Sequence, residues 1–332
     1  MLHQIPRGQA DRMGNVLKRL APLLWLSIAA IAAWVLVRRI EQIDFDDVAR
    51  QLGSTPTSTV IAALLCSAGV YALIGLYEGF AVRFASGRAL RWQAFRTAVT
   101  ANPIGRAIGF AMVSGGALRY RLYAPLGLTM RQVGAIVVLI SMPYFFGVGW
   151  LIDLSLLLHL EQASRAFQAP IAVVAALGAL GLAKDVGWLA FVASRKEPIT
   201  IGGQSIRLPP LREAVIQIAF GLAQISLMTT ILYLFMPPEL GMKWPAFVAI
   251  YCIAFVAGQL SNVPAGLGVL EAALFLLLPQ VPPGKLVGAV LAYRAVYELV
   301  PLGIALLLLL IYETTNEAGI VRRRKSKSQA EA

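Results

Sequence analysis

The stretch SNVPAGLGVLEAALFLL, Ser261 to Leu277, lies in one of the most apolar parts of the chain, yet it holds an Asn, a Pro, two Gly and a carboxylate. Pro264 lacks a backbone donor, and Asn262, Gly266 and Gly268 favour turns, so a helix should break here. A broken backbone and an acid, Glu271, are each costly in apolar surroundings. Their coincidence makes this stretch the place where the fold is decided.

Outward from it, the chain is built for a membrane. It has 332 residues, 58% hydrophobic and 14% charged, with mean hydropathy +0.72. Apolar runs of about 20 residues, enough to cross a bilayer, recur along it. They fall at 20–37, 59–82, 133–158, 169–193, 214–235 and 286–312. The first follows a basic segment, and its length favours an uncleaved anchor over a signal peptide. Phe45, Val48 and Leu52 share one helical face opposite acids, which reads as a short interfacial helix. β-Branched residues around Gly202-Gly203 predict a small hairpin in the polar loop 195–212.

The pattern repeats. GGALR (from Gly115) matches LGVLE (from Leu267), RQVGAIVVL (from Arg131) matches KLVGAVLAY (from Lys285), and ANPIG (from Ala101) answers SNVPAG (from Ser261). Each unit reads span, broken segment, span. The tips of the broken segments are expected at Asn102, Pro103, Gly105, Gly115 and Gly116, and at Asn262, Pro264, Gly266 and Gly268. Alternatively, Gly105 and Gly109, spaced as GxxxG, let helices approach. The expected fold is all-α and polytopic, with six full transmembrane helices plus two re-entrant helical hairpins in inverted repeats.

Charge supports that count. With a cytoplasmic N-terminus and each broken segment leaving by the side it entered, 20 loop and tail cations fall on the cytoplasmic side and six opposite. That is a strong positive-inside bias. It sets residues 1–19 as a cytoplasmic N-terminus and 20–313 as one transmembrane domain. Repeats one and two run over about 59–158 and 213–313, the hairpin loop over 195–212, and a basic disordered cytoplasmic tail over 314–332. The net charge of +12 suits anionic headgroups rather than nucleic acid, for which no basic soluble domain is present.

Paired broken helices in corresponding halves mark a transporter's binding site. Restarting helices turn free N–H groups toward anions. The ionisable residues expected to serve that site are Arg106, Arg119, Glu271, Arg294, Glu298, Lys184 and Asp185. Arg119 and Glu271 hold matching positions and could pair across the halves, or each could face water near its own surface. Arg294 and Glu298, four apart, can satisfy each other. Adjacent Lys184 and Asp185 point different ways, so each needs another partner. Cys66 and Cys252 read as small core hydrophobes, and His3 and His159 lack ligand-spaced partners, so no metal site or cofactor is expected. There is no P-loop, and Gly266 and Gly268 lack the rest of a dinucleotide motif.

SNVPAGLGVLEAALFLL, the following AYRAVYELVPLG and the earlier GGALRYRLY together resemble the transmembrane region of lysylphosphatidylglycerol synthases, including stand-alone proteins that share only that region. The resemblance spans roughly Leu20 to Tyr312 and implies a flippase-like domain of the bacterial inner membrane. Arg119, Glu271, Arg294 and Glu298 fall on that domain's polar positions. No aminoacyl-transferase domain follows Tyr312, so the chain is not expected to make the lysyl lipid itself. The function expected is movement of a charged-headgroup lipid. The alternatives are a non-transporting scaffold for a separate lipid synthase and, last, a membrane-embedded lipid transferase. Membrane lipids are the expected partners; a separate synthase and a second copy of the chain are left open.

Overall fold

The computed structural model describes residues 45–194, 199–201, 204–206 and 210–314. The first apolar run, the basic N-terminus, the tail, most of the basic loop and the Gly202-Gly203 turn lie outside them. Its regular elements are helices apart from β1 (Ile199–Ile201) and β2 (Gln204–Ile206), an antiparallel pair in the register Ile201 opposite Gln204.

α1 (Phe45–Gly53) precedes α2 (Thr57–Ser86). α3 (Arg91–Ile108) and α4 (Ala111–Tyr123) form the first broken pair. α5 (Met130–Leu158) follows, opened by a Thr129 capping box with Gln132. Then come α6 (Leu160–Phe167), α7 (Ile171–Ser194) and α8 (Leu211–Phe235). α9 (Trp244–Leu260) and α10 (Val269–Leu277) form the second broken pair. α11 runs over Pro283–Thr314. Long helix, broken pair, long helix thus occurs twice. Among the described residues α2, α5, α7, α8 and α11 are long and apolar enough to cross a membrane. Their outer faces are oily, with Leu65 68% and Leu180 70% exposed, as lipid requires. The chain is an all-α, multi-pass membrane protein.

Each break has its own cause. Gly109 (φ 86°, ψ 172°) takes a conformation that essentially only glycine tolerates, and Phe110 follows in the left-handed region. The second break contains Asn262, Ala265, Gly266 and Gly268, all at positive φ. The first tip is therefore not at Asn102-Pro103. Both residues lie within unbroken α3. Proline holds a helix-compatible φ and costs a hydrogen bond, whereas turning the chain needs left-handed residues. Gly105 and Gly115 are also displaced from the tip: a Cβ on Gly105 would sit 2.8 Å from Gly115 Cα, so they form the crossing of α3 on α4. Gly116 lies in the body of α4, against Val137.

Packing joins the halves. One core runs through α2, α5, α8, α9, α10 and α11, and a smaller one gathers around Tyr123 and Ile136. α5 and α8 cross at Gly147 and Gly221, where a Cβ on Gly221 would fall 2.0 Å from the Pro143 carbonyl. The breaks themselves touch: a Cβ on Gly109 would lie 3.2 Å from Asn262 O and 3.3 Å from Pro264 Cγ. At one end Lys285 bonds to Glu239, and that hydrogen bond holds the Glu239 carboxyl below its ordinary range.

Gly221→Leu should lower the melting temperature and monodisperse yield in detergent, since overpacking of about 1–3 kcal/mol falls on backbone that cannot move aside. Gly134→Leu, at a site with open space around it, should leave both unchanged.

Candidate functional site

The break at Ser261–Gly268 strands backbone groups, and nearby charges satisfy them. Glu271, at the third position of α10, accepts the Gly268 N–H with Oε2 at 2.9 Å, as a capping acid does. Its Oε1 accepts Arg294 Nε at 2.7 Å. Arg294 Nη1 donates to the Ala265 carbonyl at 3.1 Å, and Nη2 lies 3.4 Å from the Gly266 carbonyl. The acid buried just past the break thus holds the arginine that holds the break.

The network continues into the other half. Arg294 Nη1 also reaches Glu298 Oε2 at 2.9 Å, and Glu298 Oε1 accepts Arg106 Nη2 at 3.2 Å. Arg106 comes from the last turn of α3, three residues before the first break. Its Nη1 donates to the Tyr297 hydroxyl at 2.7 Å. Two arginines and two glutamates balance to zero, which makes burial at 7–16% side-chain exposure tolerable. A π-turn, Ala295–Leu299, interrupts α11 between Arg294 and Val300. Within it the Val296 carbonyl accepts from Ser67 of α2 at 3.1 Å; such turns gather at functional sites. Tyr251, Tyr293 and Tyr297 are fully buried behind it, the first two 2.9 Å apart through their hydroxyls.

Arg119 and Glu271 do not pair across the halves. Arg119 binds Glu78 of α2 bidentately, 3.0 Å from Nε to Oε1 and 2.8 Å from Nη2 to Oε2, and the Tyr123 hydroxyl donates to Glu78 at 2.9 Å. Each matched residue found its partner on a long helix of its own half. Glu78, 0% exposed, went unnoticed in the sequence, although a single acid within an apolar run was signal enough. Lys184 and Asp185 lie apart from these networks, on α7. Though adjacent in sequence, they bond each other at 2.9 Å, and Asp153 of α5 lies 4.0 Å from the same ammonium.

Between the two breaks lies a cavity of about 430 Å³, the size of a small-molecule site. Arg106, Arg119, Asn102, Gln224, Gln259 and Asn262 face it, together with apolar and tyrosine side chains and no carboxylate among the described residues. Gln224 is 4% exposed, and its buried Nε2 has no hydrogen-bond partner among the described residues. The cavity thus brings two guanidinium groups and several amides into a mostly apolar lining, where a polar or anionic group can be met beside hydrocarbon.

Broken helices around buried, self-neutralised arginines and the cavity that Arg106 and Arg119 reach define a polytopic membrane protein with an internal polar site. The uncharacterized protein slr0712 of Synechocystis is 31% identical over 229 residues, 69% of this chain and 71% of its own length, and the chain belongs to its family. The inner membrane protein YbhN of Escherichia coli is 25% identical over 300 residues, 88% of this chain and 92% of its own, which supports an inner-membrane location. No protein-family model matches the chain.

Truncating one member of the Arg119–Glu78 pair should cost about 3–5 kcal/mol because the other charge stays buried and unpaired. Glu78→Ala should therefore lower the melting temperature far more than Glu78→Leu with Arg119→Met, measured by thermal unfolding of the purified protein.

Proposed function

We propose that the protein moves a charged-headgroup lipid, of the aminoacylated phosphatidylglycerol kind or another polar lipid, across the inner membrane. The observation that carries this reading is a cavity reached by Arg106 and Arg119 between two touching breaks in an otherwise lipid-facing bundle. The headgroup would enter between Arg106 and Arg119 while its acyl chains stay in lipid. A second cavity, about 680 Å³, beside Arg83, Arg212 and Phe84 shares Tyr77 with the first and supplies an approach from the arginine-rich side. The likeness to the transmembrane region of lysylphosphatidylglycerol synthases points the same way.

The layout that goes with this reading has six full spans, the five described and the run 20–37, plus two re-entrant hairpins, α3–α4 and α9–α10, inverted relative to each other. Each arm of 9 to 18 residues falls short of the roughly 20 a crossing needs, and the 20-to-six cation bias obtained with this layout supports both termini in the cytoplasm. One observation favours a second reading, a non-transporting membrane partner for a separate lipid-modifying enzyme. Arg106, Arg119 and Arg294 are all paired with glutamates, as structural charges would be.

Reconstituted vesicles carrying a headgroup-labelled phospholipid and an impermeant quencher separate the two. Transbilayer movement should exceed that of protein-free vesicles. Arg106→Gln should slow it about ten-fold at normal yield, the scale of one lost charge-assisted hydrogen bond, since Glu298 keeps Arg294. A rate equal to protein-free vesicles would favour the scaffold and overturn the transport reading.

A further inference from the structure

Asp153 and Asp185 face each other away from the central cavity. Asp185 lies fourteen residues from the start of α7 and nine from its end, about 21 and 13 Å at the helical rise, so it sits well inside the hydrocarbon. α5 and α7 approach closely enough here that a Cβ on Gly181 would fall 2.0 Å from Asp153 Oδ1, and one on Gly149 would fall 3.5 Å from Asp185 Oδ2. Glycine at 181 thus leaves room for a carboxylate. Both carboxyl groups therefore lie in the same seam between α5 and α7. Both residues are more than nine-tenths buried, and the Oδ2 of each has no hydrogen-bond partner among the described residues.

The charges do not balance. Lys184 Nζ is 2.9 Å from Asp185 Oδ1 and 4.0 Å from Asp153 Oδ2, so one ammonium serves two acids. Among the described residues, no other salt bridge reaches Asp153 or Asp185. On neighbouring α6, Arg165 and Glu161 pair with each other, and from α9 the Pro245 carbonyl and the Ala249 N–H engage Ser155, half a turn along α5. Two buried carboxylates that share one ammonium leave an uncompensated negative charge in apolar surroundings, and one proton on the pair removes it.

We propose that Asp153 and Asp185 form a proton-binding site, holding one proton between their carboxyl groups and giving it up when the surroundings turn alkaline. With Lys184 charged, the loaded site is neutral and the empty one carries a single negative charge. This assignment stands independently of what the central cavity binds. It also separates proton chemistry from Glu271 and Glu298, both of which are engaged by arginines.

Dicyclohexylcarbodiimide, an apolar reagent that attacks protonated carboxyl groups, tests the site on the purified full chain, with adducts located by peptide mass mapping. Asp153 or Asp185 should be labelled, less so as pH rises. In Asp185→Asn the remaining Asp153 keeps Lys184 but loses its rival charge, so its labelling should fall about ten-fold. Lys184→Met, at a side chain that is 65% exposed and so safe for folding, should raise labelling of the pair. Absence of adducts on both aspartates, or labelling indifferent to Lys184→Met, would overturn the proposal.

Discussion

A backbone carbonyl freed by a broken helix must find a donor, and much of what lies at the centre of this protein follows from that constraint. Ala265 and Gly266 expose carbonyls where the second helical pair breaks, and Arg294 accepts the task of covering them. A guanidinium in that place needs a counter-charge, which Glu271 and Glu298 supply. Glu298 in turn reaches Arg106 beside the other break. The staple that repairs one break thereby ties the two halves together.

The same arrangement limits what can bind. The carboxylates sit behind the arginines, so the cavity sees Arg106, Arg119 and amides and no acid among the described residues. On the transport reading, a phosphate entering there would compete with Glu298 for Arg106, and the pairing holds the site neutral when it is empty. Buried pairs of this kind contribute little net stability, because desolvation offsets attraction. Their value lies in fixing where the breaks meet.

The long spans were legible because an apolar run near bilayer length admits few other readings, and the structure sets α2, α5, α7, α8 and α11 within a few residues of them. The second break was legible because Pro264 and two glycines cluster there. The first was misplaced by seven residues: Asn102-Pro103 looks like a stop, but the turn was made by the less conspicuous Gly109-Phe110. Sequence spacing also could not say which acid meets which arginine. Arg119 and Glu271 correspond in the repeat, yet partner choice is set by the long helix each packs against. Glu78 and Asp153 were overlooked as lone acids in apolar runs, although the cost of burying such a group is itself the signal.

The central claim, that two touching breaks enclose an arginine-lined, water-reachable pocket within the membrane-embedded bundle, is tested most directly by thiol accessibility. With Cys66 and Cys252 replaced, Asn102→Cys and Asn262→Cys should react with a membrane-impermeant, water-soluble maleimide, while Leu65→Cys on the lipid-facing surface should not. Asn102→Cys and Asn262→Cys as inert as Leu65→Cys would mean that the pocket is dry, and the account of the site would fail.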